Sequence, residues 1–382
     1  MKVGLVTSYM PPHLGGIEQI AESLFTGYAS SGIEVHWVAS RVPADAPQRE
    51  GNRVRVPCFN LAEELLGIPV PVWGSTGWAE VKHLVEWADA IHVLECLYLS
   101  SAIAVILARR HGKPVVVSQN VGLVRYAFSP LNWIQRAAHA TLGRAVLRHA
   151  SYVVLATPAA AVQVNALFPG GLPRVSTFPI GIDTSRFHPA TEHERQTARR
   201  SLRIAPETKL AFFAGRLVEK KGVSIVLDVC QRLADVQFVV VGDGPLRALV
   251  TRAPPNLTWH RAVASSRMHE YFHAADCVLL PSHGEGLPLV VQEAMACGLP
   301  VVIAEDEPYA EGLVKAAVCA AAPRAPDAVA KRLSEILAGG DPGLGQRARA
   351  YAEAHWAVGT MVARYLALFE SLLAARPRAA RK

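Results

Sequence analysis

No segment of this 382-residue chain stays apolar for the length of a bilayer-spanning helix. The longest unbroken apolar stretches, such as residues 102–108, fall far short of the roughly 20 residues that a span requires. Met1 leads directly into an apolar, strand-like segment without the features of a signal peptide. These absences predict a soluble, cytoplasmic protein that is not exported.

Cysteine pairs with metal-binding or redox spacing are also absent. The cysteines number six and lie at least 20 residues apart, at Cys58, Cys96, Cys230, Cys277, Cys297 and Cys319. None of these separations matches a zinc site or a redox pair. We therefore expect most of them to be reduced residues of a hydrophobic core.

Acidic residues are missing from a long central segment. Residues 96–182 contain no Asp or Glu, whereas residues 1–95 contain eleven acidic and six basic residues. The central segment has eight basic residues, which are Arg109, Arg110, Lys113, Arg125, Arg136, Arg144, Arg148 and Arg174. Although the whole chain has a net charge of only +7, this distribution predicts an anionic partner near its middle third.

Part of the acid-free segment has helical periodicity. Residues 131–149 predict a helix whose apolar side consists of Leu131, Ile134, Ala138, Leu142 and Ala145. The opposite side carries Trp133, Arg136, Arg144 and Arg148. Two interpretations stay open, separately or together: the apolar side packs on a sheet, or the basic side binds an anionic membrane surface.

The C-terminal tail is basic as well. Residues 376–382 read RPRAARK, with no apolar period, and are predicted to be mobile and to add to the contact with an anionic surface. A nucleic-acid partner is not expected, because no recognised binding motif or aromatic stacking platform accompanies the basic residues.

Short apolar runs alternate with helical patterns and fall into two sets. The predicted strands are residues 2–7, 34–39, 90–94, 114–118 and 152–156 in the first set, and 209–215, 236–242, 276–281 and 299–304 in the second. Strands that are apolar on successive residues are typical of parallel sheets covered by helices on both faces. The pattern predicts an α/β fold with two doubly wound, Rossmann-like domains whose parallel sheets face an interdomain cleft.

A polar, irregular stretch near residues 180–205 separates the two sets. We predict one domain over residues 1–183 and a second over residues 184–355. Residues 356–382 are predicted to form an amphipathic helix over 356–373, which crosses back toward the first domain, and then the basic tail.

Two glycines follow the first predicted strand. Gly15 and Gly16 lie on a loop directly before a helix that opens at Ile17 or Glu18. Glycine lets backbone amides approach a ligand closely, and a helix N-terminus favours an anion, although a plain turn has the same local pattern. The G-x-G-x-x-G fingerprint of dinucleotide-binding enzymes is absent, so a dehydrogenase is not expected.

Two cations follow the first strand of the second set. Arg216 comes just after the strand, and Lys221 follows five residues later, before Gly222 opens the next helix. Such a pair suits a diphosphate, because Arg binds oxygens in a fork and Lys acts as a mobile point charge. Solvated surface charges would have the same local pattern.

The segment PSHGEGLPLVVQEAMACGLPVV, residues 281–302, contains two glutamates with seven residues between them. Glu285 lies on a glycine-flanked loop, and Glu293 lies among apolar residues of the following helix. A carboxylate in apolar surroundings is costly unless it meets a donor, which the hydroxyl pair of a ligand could supply. A helix start at Gly286 and Leu287 would offer free N–H groups to a phosphate. The alternative is that Glu285 caps the helix and Glu293 is exposed.

Together these motifs resemble those of the retaining glycosyltransferases of the GT-B fold, in the group-1 or family-four class. The resemblance extends from the first strand to about residue 304 and is carried by GGIE at 15–18, GRLVEKKG at 215–222, VVGDGP at 240–245 and EGLPLVVQEAMACGLPVV at 285–302. It implies transfer of a hexose from a nucleoside-diphosphate sugar, with retention, to a saccharide acceptor. The first domain would hold the acceptor and the second the nucleotide sugar.

The resemblance also implies a role for each candidate residue. Arg216 and Lys221 would hold the diphosphate, and the loop of Gly15 and Gly16 would close on the donor. Glu285 would bind the sugar hydroxyls as a catalytic residue, and Glu293 would bind the ribose. The N–H groups of Gly286 and Leu287, at the predicted helix start, would add donors to the diphosphate. Fixed cations would then stabilise the charge of the leaving diphosphate, so we expect no metal and no other cofactor. The acidic run Glu305–Glu307 is expected to lie on a solvated loop.

The chain departs from the family pattern after the fourth predicted strand. Where the family commonly has a His near the donor sugar, this chain has Asn120, which can hydrogen-bond a hydroxyl but cannot carry charge. Asn120 is therefore a catalytic candidate whose role is open. His92, beside the preceding strand, could take the place of the missing His, although such a histidine is more often structural.

The basic first domain leads us to expect a lipid-linked or cell-envelope saccharide as acceptor, at the inner face of the cytoplasmic membrane. Two other functions fit the same sequence. One is an epimerase or phosphorylase of the same architecture, which would consume the donor without an acceptor. The other is a regulator that binds a nucleotide sugar without turnover.

Overall fold

A computed structural model of the chain describes residues 1–13, 16–61, 63, 70–120, 129–172, 174–252 and 254–375. The chain divides into two compact units. Unit 1 consists of Met1–Gly181 and Val358–Lys382, and unit 2 consists of Ile182–Ala357. The observed division falls two residues before the boundary that the sequence predicts.

The strands of unit 1 are β1 (Lys2–Val6), β2 (Glu34–Ser40), β3 (Arg49–Glu50), β4 (Arg53–Val56), β5 (Cys58–Phe59), β6 (Val72–Trp73), β7 (Ala90–Leu94), β8 (Val115–Gln119), β9 (Tyr152–Leu155) and β10 (Val175–Thr177). Among the described residues, eight of them form a sheet in the order β10-β9-β8-β7-β1-β2-β4-β3. Neighbouring strands run parallel except β3 and β4, and β5 pairs with β6 in a separate antiparallel ribbon.

Helices cover both faces of this sheet. Their bounds are Gly16–Ser30, Ser75–Trp87, Leu99–Arg110, Ser129–Ala138, Arg144–His149, Pro158–Leu167 and Val358–Ala374. Helices Gly16–Ser30 and Val358–Ala374 pack on one face, over a core that includes Trp37. Helices Ser75–Trp87 and Leu99–Arg110 pack on the other face. Burial on both faces explains why the strands are apolar on successive residues.

Unit 2 has a parallel sheet with strands β11 (Leu210–Ala214), β12 (Gln237–Val241), β13 (Leu257–His260), β14 (Cys277–Leu280), β15 (Val301–Ala304) and β16 (Ala320–Ala322). Their order is β13-β12-β11-β14-β15-β16 within the described part of the chain. The helices are Glu192–Ser201, Val223–Arg232, Arg247–Val250, Met268–Ala274, Leu289–Ala296, Ala310–Lys315, Pro326–Leu337 and Leu344–Trp356. One apolar core, which includes Phe212 and Phe272, joins them.

The nine predicted strands all occur, each within two residues of its predicted bounds. The prediction of a two-domain α/β fold with parallel sheets is therefore confirmed. The sequence analysis did not find the short strands β10, β13 and β16 or the edge pair β3 and β4. These are two to four residues long and lie at or near sheet edges, so their apolar signal is weak.

The predicted helix over 131–149 is divided by a π-helical turn at His139–Gly143. The buried stripe is displaced by one residue from the prediction, because His139, Gly143 and Val146 face inward. Gly143 lies so close to Cys96 that a Cβ there would be 3.2 Å from its sulfur. Ile134, predicted on the packed side, is instead 64% exposed.

The predicted C-terminal helix also begins later than expected. Trp356 ends the helix Leu344–Trp356 and belongs to the core of unit 2. Ala357, with a φ of −58° and a ψ of 138°, interrupts the helical conformation. The last helix then runs over Val358–Ala374 and packs against Gly16–Ser30 in unit 1. Residues 376–382, the predicted mobile tail, lie outside the described residues.

Candidate active site

In unit 2, polar loops meet at the carboxyl ends of four neighbouring parallel strands. They follow β12, β11, β14 and β15, which are adjacent in the sheet. The carboxyl edge of such a sheet is the usual position of a ligand site. The predicted site residues of unit 2 lie on or directly after two of these loops.

Glycines allow the loops after β11 and β12 to touch through their backbones. A Cβ on Gly242 would lie 1.9 Å from the Gly215 carbonyl oxygen, and one on Gly244 would lie 2.4 Å from the Leu217 carbonyl oxygen. Leu217 N–H donates to the Asp243 carbonyl at 2.9 Å. Close backbone packing therefore requires glycine at positions 242 and 244 of the VVGDGP turn, because any larger residue would clash there.

Arg216 lies between Gly215 and Leu217, the two residues that make this backbone contact. Together with Asp243, Gly244, Pro245 and Arg247, it lines a cavity of about 510 Å³. Asp243 accepts a hydrogen bond from Arg261 at 2.7 Å, and this bond holds the pKa of the Asp243 carboxyl below its ordinary value. Because Asp243 is paired with Arg261, Arg216 and Arg247 give the cavity cationic groups that suit an anion.

Lys221 and Glu285 form an ion pair. Lys221 lies on the short turn Glu219–Lys221, and its aliphatic chain passes over Gly215. Its Nζ is 3.1 Å from Glu285 Oε1, and Lys220 Nζ is 3.5 Å from the same oxygen. The Glu285 side chain is only 12% exposed. The structure therefore joins two predicted site residues and places a carboxylate where an anionic ligand would meet Lys221.

Glu307 fixes the loop that carries Glu285. Its carboxylate accepts hydrogen bonds from the Gly284 N–H at 2.6 Å and from the Glu285 N–H at 2.8 Å. The expectation of a solvated acidic loop is wrong for Glu307, which is 4% exposed. It holds for Asp306, which is exposed and pairs with Arg324. Sequence analysis missed Glu307, because its partners lie more than twenty residues earlier.

Gly286 and Leu287 do not begin the helix that the sequence predicts there. The helix runs over Leu289–Ala296, with Pro288 as its N-cap in an extended conformation. Proline disfavours helical backbone in the residue before it, so Leu287 stays outside the helix. Gly286 and Leu287 instead continue the Glu285 loop, half-buried, just before the helix.

Glu293 lies half-buried within the helix Leu289–Ala296. Burial raises the pKa of its carboxyl to about 7, and the nearby positive charge of Arg186 partly opposes this. A carboxyl in such surroundings favours a hydrogen-bond donor that stabilises its charged form. The surroundings agree with the prediction that Glu293 lies among apolar residues.

In unit 1, Asn120 directly follows β8 and is 4% exposed. Its N–H donates to Glu95 Oε1 at 2.7 Å, and its carbonyl accepts from the Thr157 hydroxyl at 3.1 Å. Gln119 Nε2 donates to Glu95 Oε2 at 2.6 Å. Asn120 is thus held by its backbone at the carboxyl edge of the sheet.

Glu95 is a functional candidate that the sequence analysis missed. It is 3% exposed, and its φ of 69° is left-handed, a conformation that costs a non-glycine residue of order 1 kcal/mol or more. Such strain persists only where the surroundings enforce it, which here are the bonds to Gln119 and Asn120. In the sequence, Glu95 directly follows the apolar run AIHVL, and this position at the end of a predicted strand could have indicated a site residue.

His92 cannot replace the histidine that the family commonly has. It lies within β7, fully buried, with Nδ1 2.9 Å from the Tyr28 hydroxyl and Nε2 2.7 Å from the Ser118 hydroxyl. Burial lowers its pKa to about 3. Both ring nitrogens are occupied within the core, so its role is structural.

A charged cluster lies beside the predicted glycine loop. His13 Nδ1 is 2.9 Å from Glu18, its Nε2 is 2.9 Å from Glu63, and its ring stacks on Tyr9. The hydrogen bond to Glu18 contributes most to raising the pKa of His13. Gly16 begins the helix with open space around it, and Gly15 lies outside the described residues.

Two features depend on the whole described chain. Across the described ranges, no three His, Cys, Asp or Glu side chains group as a metal ion would require. In the same ranges, no helix has both the length and the apolar character to cross a membrane.

Comparison with known proteins gives matches in both units. The family model for glycosyl transferases group 1 matches residues 194–355, and that for a glycosyl transferase 4-like domain matches residues 15–181. The chain is 30% identical to D-inositol 3-phosphate glycosyltransferase 1 of Catenulispora acidiphila, over 76% of this chain and 74% of that protein. This chain belongs to the group 1 glycosyltransferases.

Other matches cover more of this group 1 glycosyltransferase. It is 27% identical to a GDP-mannose-dependent alpha-(1-6)-phosphatidylinositol dimannoside mannosyltransferase of Mycobacterium tuberculosis, over 88% of each chain. HepE of Anabaena, solved in complex with UDP, has a TM-score of 0.74 at 17% identity, over 97% of this chain and 100% of that one. This likeness concerns the fold alone and confirms the predicted GT-B architecture.

Proposed function

We propose that this group 1 glycosyltransferase moves a hexose from a nucleoside-diphosphate sugar to a saccharide acceptor, with retention and without a metal ion. The observation that carries the proposal is the contact between Lys221 and Glu285 at the carboxyl edge of the unit 2 sheet. It joins a cation for a diphosphate to a carboxylate for sugar hydroxyls, and Arg216 lies at the same edge.

The proposed chemistry separates charge. When the bond between the anomeric carbon and the phosphate oxygen breaks, negative charge grows on the diphosphate and positive charge on the sugar. Arg216 and Lys221 would stabilise the diphosphate, and the N–H groups of Gly286 and Leu287 would add donors. These fixed groups would do the work of a metal ion. Glu285 would bind the sugar hydroxyls and Glu293 those of the ribose.

Two matches support a donor of this class. The Mycobacterium tuberculosis relative is named as GDP-mannose-dependent, and HepE of Anabaena was also solved in complex with UDP-glucose. Both compounds are hexoses joined to a nucleoside through a diphosphate. The shared diphosphate is the part for which the cations of unit 2 are suited.

A thermal-shift panel tests donor binding. Nucleoside diphosphates and their sugar conjugates should raise the melting temperature, since a ligand at 100 times its Kd adds about 2.7 kcal/mol of stability. Inorganic sulfate at equal ionic strength is the control for general anion binding. If none of the nucleotides exceeds sulfate, the donor class is wrong.

Turnover with the donor so identified tests the reaction. We expect product only when a saccharide acceptor is present, with unchanged rate in EDTA and with the donor's anomeric configuration in the product by NMR. Donor consumption without an acceptor would instead support an epimerase or phosphorylase. Loss of activity in EDTA would overturn metal independence, and an inverted product would overturn retention.

Substitution of Glu285 separates an enzyme from a binding regulator. In Glu285→Ala we expect turnover to fall by about 100-fold or more, because a group that stabilises the transition state is lost. Affinity for the nucleoside diphosphate should persist, since other residues bind it. Glu311→Ala, at an exposed glutamate of the same unit, is the matched control. Equal turnover in the two variants would contradict the role of Glu285.

We further propose that unit 1 docks on an anionic membrane surface, which would present a lipid-linked or cell-envelope acceptor at the inner face of the cytoplasmic membrane. Trp133 and Ile134 are 71% and 64% exposed. Arg136, Arg144 and Arg148 are exposed on the same helical segment. Each basic residue near such a surface contributes about 1 kcal/mol, and an exposed indole anchors at the interface.

Vesicle co-sedimentation tests the membrane proposal. Binding should be stronger to vesicles with anionic lipid than to neutral ones, and it should fall in the triple variant R136Q/R144Q/R148Q. The triple variant R200Q/R252Q/K331Q removes the same charge from exposed positions of unit 2 and should retain binding. Equal losses in the two variants would mean that net charge alone matters, and the helical segment would not be the docking site.

A further inference from the structure

Glu307 is an acidic residue whose burial the proposed reaction does not yet explain. It follows β15, between the exposed residues Asp306 and Pro308. Glu305 is also exposed, and Asp306 pairs with Arg324 at 2.6 Å. Glu307 itself is 4% exposed. A buried carboxylate is costly unless hydrogen bonds compensate for its lost hydration.

The compensation comes from two consecutive peptide groups. The Gly284 N–H donates to one carboxylate oxygen at 2.6 Å, and the Glu285 N–H donates to the other at 2.8 Å. Gly284 has a φ of 65°, a left-handed conformation that glycine adopts without strain. The carboxylate thus fixes the backbone of the Glu285 loop at two adjacent points.

A second contact holds the other end of the same loop. His283 N–H donates to the Lys220 carbonyl at 2.8 Å, which ties the loop to the turn that carries Lys221. The Glu285 carboxylate then meets Lys221 Nζ at 3.1 Å. The bond of His283 and the two bonds of Glu307 fix the backbone on which Glu285 lies, and this backbone sets the direction of the Glu285 side chain.

We propose that Glu307 is a positioning residue for the sugar half of the donor. It holds the Glu285 loop so that the Glu285 carboxylate faces the sugar hydroxyls, and it makes no contact of its own with the nucleoside diphosphate. This inference rests on the proposed function, in which the charged contacts to the nucleotide come from Arg216, Lys221 and Glu293, outside the Glu285 loop. Gly286 and Leu287 of that loop would add only neutral N–H donors.

The test compares Glu307→Gln, of equal size, with the matched control Glu305→Gln at an exposed glutamate of the same turn. A glutamine keeps one acceptor oxygen and turns an NH₂ group toward the second N–H. We expect kcat to fall about tenfold or more in Glu307→Gln, since a charge-assisted hydrogen bond is lost. We expect Glu305→Gln to match the wild type.

Binding separates positioning from general damage. In Glu307→Gln, the affinity for the nucleoside diphosphate should fall much less than kcat, because Arg216 and Lys221 keep their charged contacts and only the neutral N–H donors of Gly286 and Leu287 lie on the released loop. Affinity for the nucleotide sugar should fall to that of the diphosphate alone. Glu307→Asp keeps both carboxylate oxygens and should recover part of kcat.

Three results would overturn the inference. Wild-type kcat in Glu307→Gln would show that the loop needs no such hold. Equal losses of diphosphate and nucleotide-sugar affinity, with a lower melting temperature, would show a structural role only. A wild-type chain that binds no nucleotide sugar would overturn the proposed function itself and this inference with it, whereas the first two results leave that function intact.

Discussion

The two units end their parallel sheets in different chemistry. In unit 2, the carboxyl edge carries the ion pair of Lys221 and Glu285, with Arg216 beside it at a cavity. In unit 1, the same edge carries the amide of Asn120, and the buried carboxylate of Glu95 is bonded to amide N–H groups of neighbouring residues.

This difference matches the ligands that we propose. A diphosphate carries its charge into the site, so unit 2 needs cations that can exchange a carboxylate for a phosphate. A sugar hydroxyl is neutral, and the amide of Asn120 can donate to it and accept from it without a change of charge. The comparison teaches that the two halves of one architecture can divide charged and neutral recognition between them.

The largest effect expected on diphosphate binding comes from Lys221 of unit 2. Lys221→Gln should lower nucleoside-diphosphate affinity by about 10- to 100-fold, since a hydrogen bond to a charged group is worth about 1.5–3 kcal/mol. Isothermal titration measures the change. Lys331→Gln, at an exposed lysine of the same unit, is the control. If both variants bind like the wild type, the charge contrast between the units has no functional meaning.

A smaller effect is expected in unit 1. Asn120→Ala should lower turnover by up to about tenfold, the value of a neutral hydrogen bond, and leave nucleoside-diphosphate affinity unchanged. Steady-state kinetics and titration together measure this. Asn165→Ala, at an exposed asparagine of unit 1, is the matched control. A weaker diphosphate affinity in Asn120→Ala would contradict the assignment of diphosphate binding to unit 2 alone.

The raised pKa of Glu293 predicts a pH dependence of donor binding. Burial raises this pKa to about 7, so the carboxyl is largely protonated at pH 6 and largely ionised at pH 7.5. If only the carboxylate accepts from the ribose, affinity for a nucleotide sugar should rise up to about eightfold between these values. The effect of pH on folding stability has the opposite sign. Between the ordinary pKa of a glutamate and pH 7, the native state binds more protons than the unfolded state, so the native state loses stability as the pH rises through this range.

A nucleotide sugar is the right probe, because the terminal phosphate of a free diphosphate also titrates near pH 6. In Glu293→Gln the pH dependence should disappear. The same slope in the variant and the wild type would assign the effect to another group and remove Glu293 from the ribose site.

The smallest effect concerns the His13 cluster in unit 1. Glu18, with Glu63, raises the pKa of His13, so its ion pairs add stability that is fully present below its ordinary pKa of 6.5 and is lost as pH rises through the raised value. His13→Gln should therefore lower the unfolding free energy more at pH 6 than at pH 9. Thermal unfolding at the two pH values measures the difference.

His111→Gln, at an exposed histidine of unit 1, is the matched control. If His13→Gln costs the same stability at pH 6 and pH 9, its contacts are those of a neutral ring. The His13 ring would then carry no charge in the native state, and the contrast between a cationic site in unit 2 and neutral groups in unit 1 would be stronger.

Much of the fold was predictable from local patterns. Each of the nine predicted strands is buried on both faces, and such strands appear in the sequence as unbroken apolar runs. Helix phase was less predictable: Ile134 fits an apolar stripe with Leu131, yet the π turn and the close contact of Gly143 rotate the stripe by one residue. Periodicity cannot register a change of helical pitch.

The candidate site was predictable residue by residue more than in its geometry. The residue types of Glu285, Glu293, Arg216 and Lys221 and their positions after strands indicate a site from the sequence alone. The pairing of Lys221 with Glu285 was not foreseen, because it joins loops that follow β11 and β14, far apart in the chain. The predicted helix start at Gly286 was wrong, since Pro288 delays it to Leu289.

The sequence by itself determined the two sets of parallel strands, the absence of acidic residues from 96–182 and the residue types available at each strand end. These follow from burial and charge along single elements. Tertiary structure alone decided that Glu307 holds the Glu285 loop and that Glu95 holds Asn120. Such contacts depend on which strands become neighbours in the sheet, and strand order is set by the packing of the whole unit.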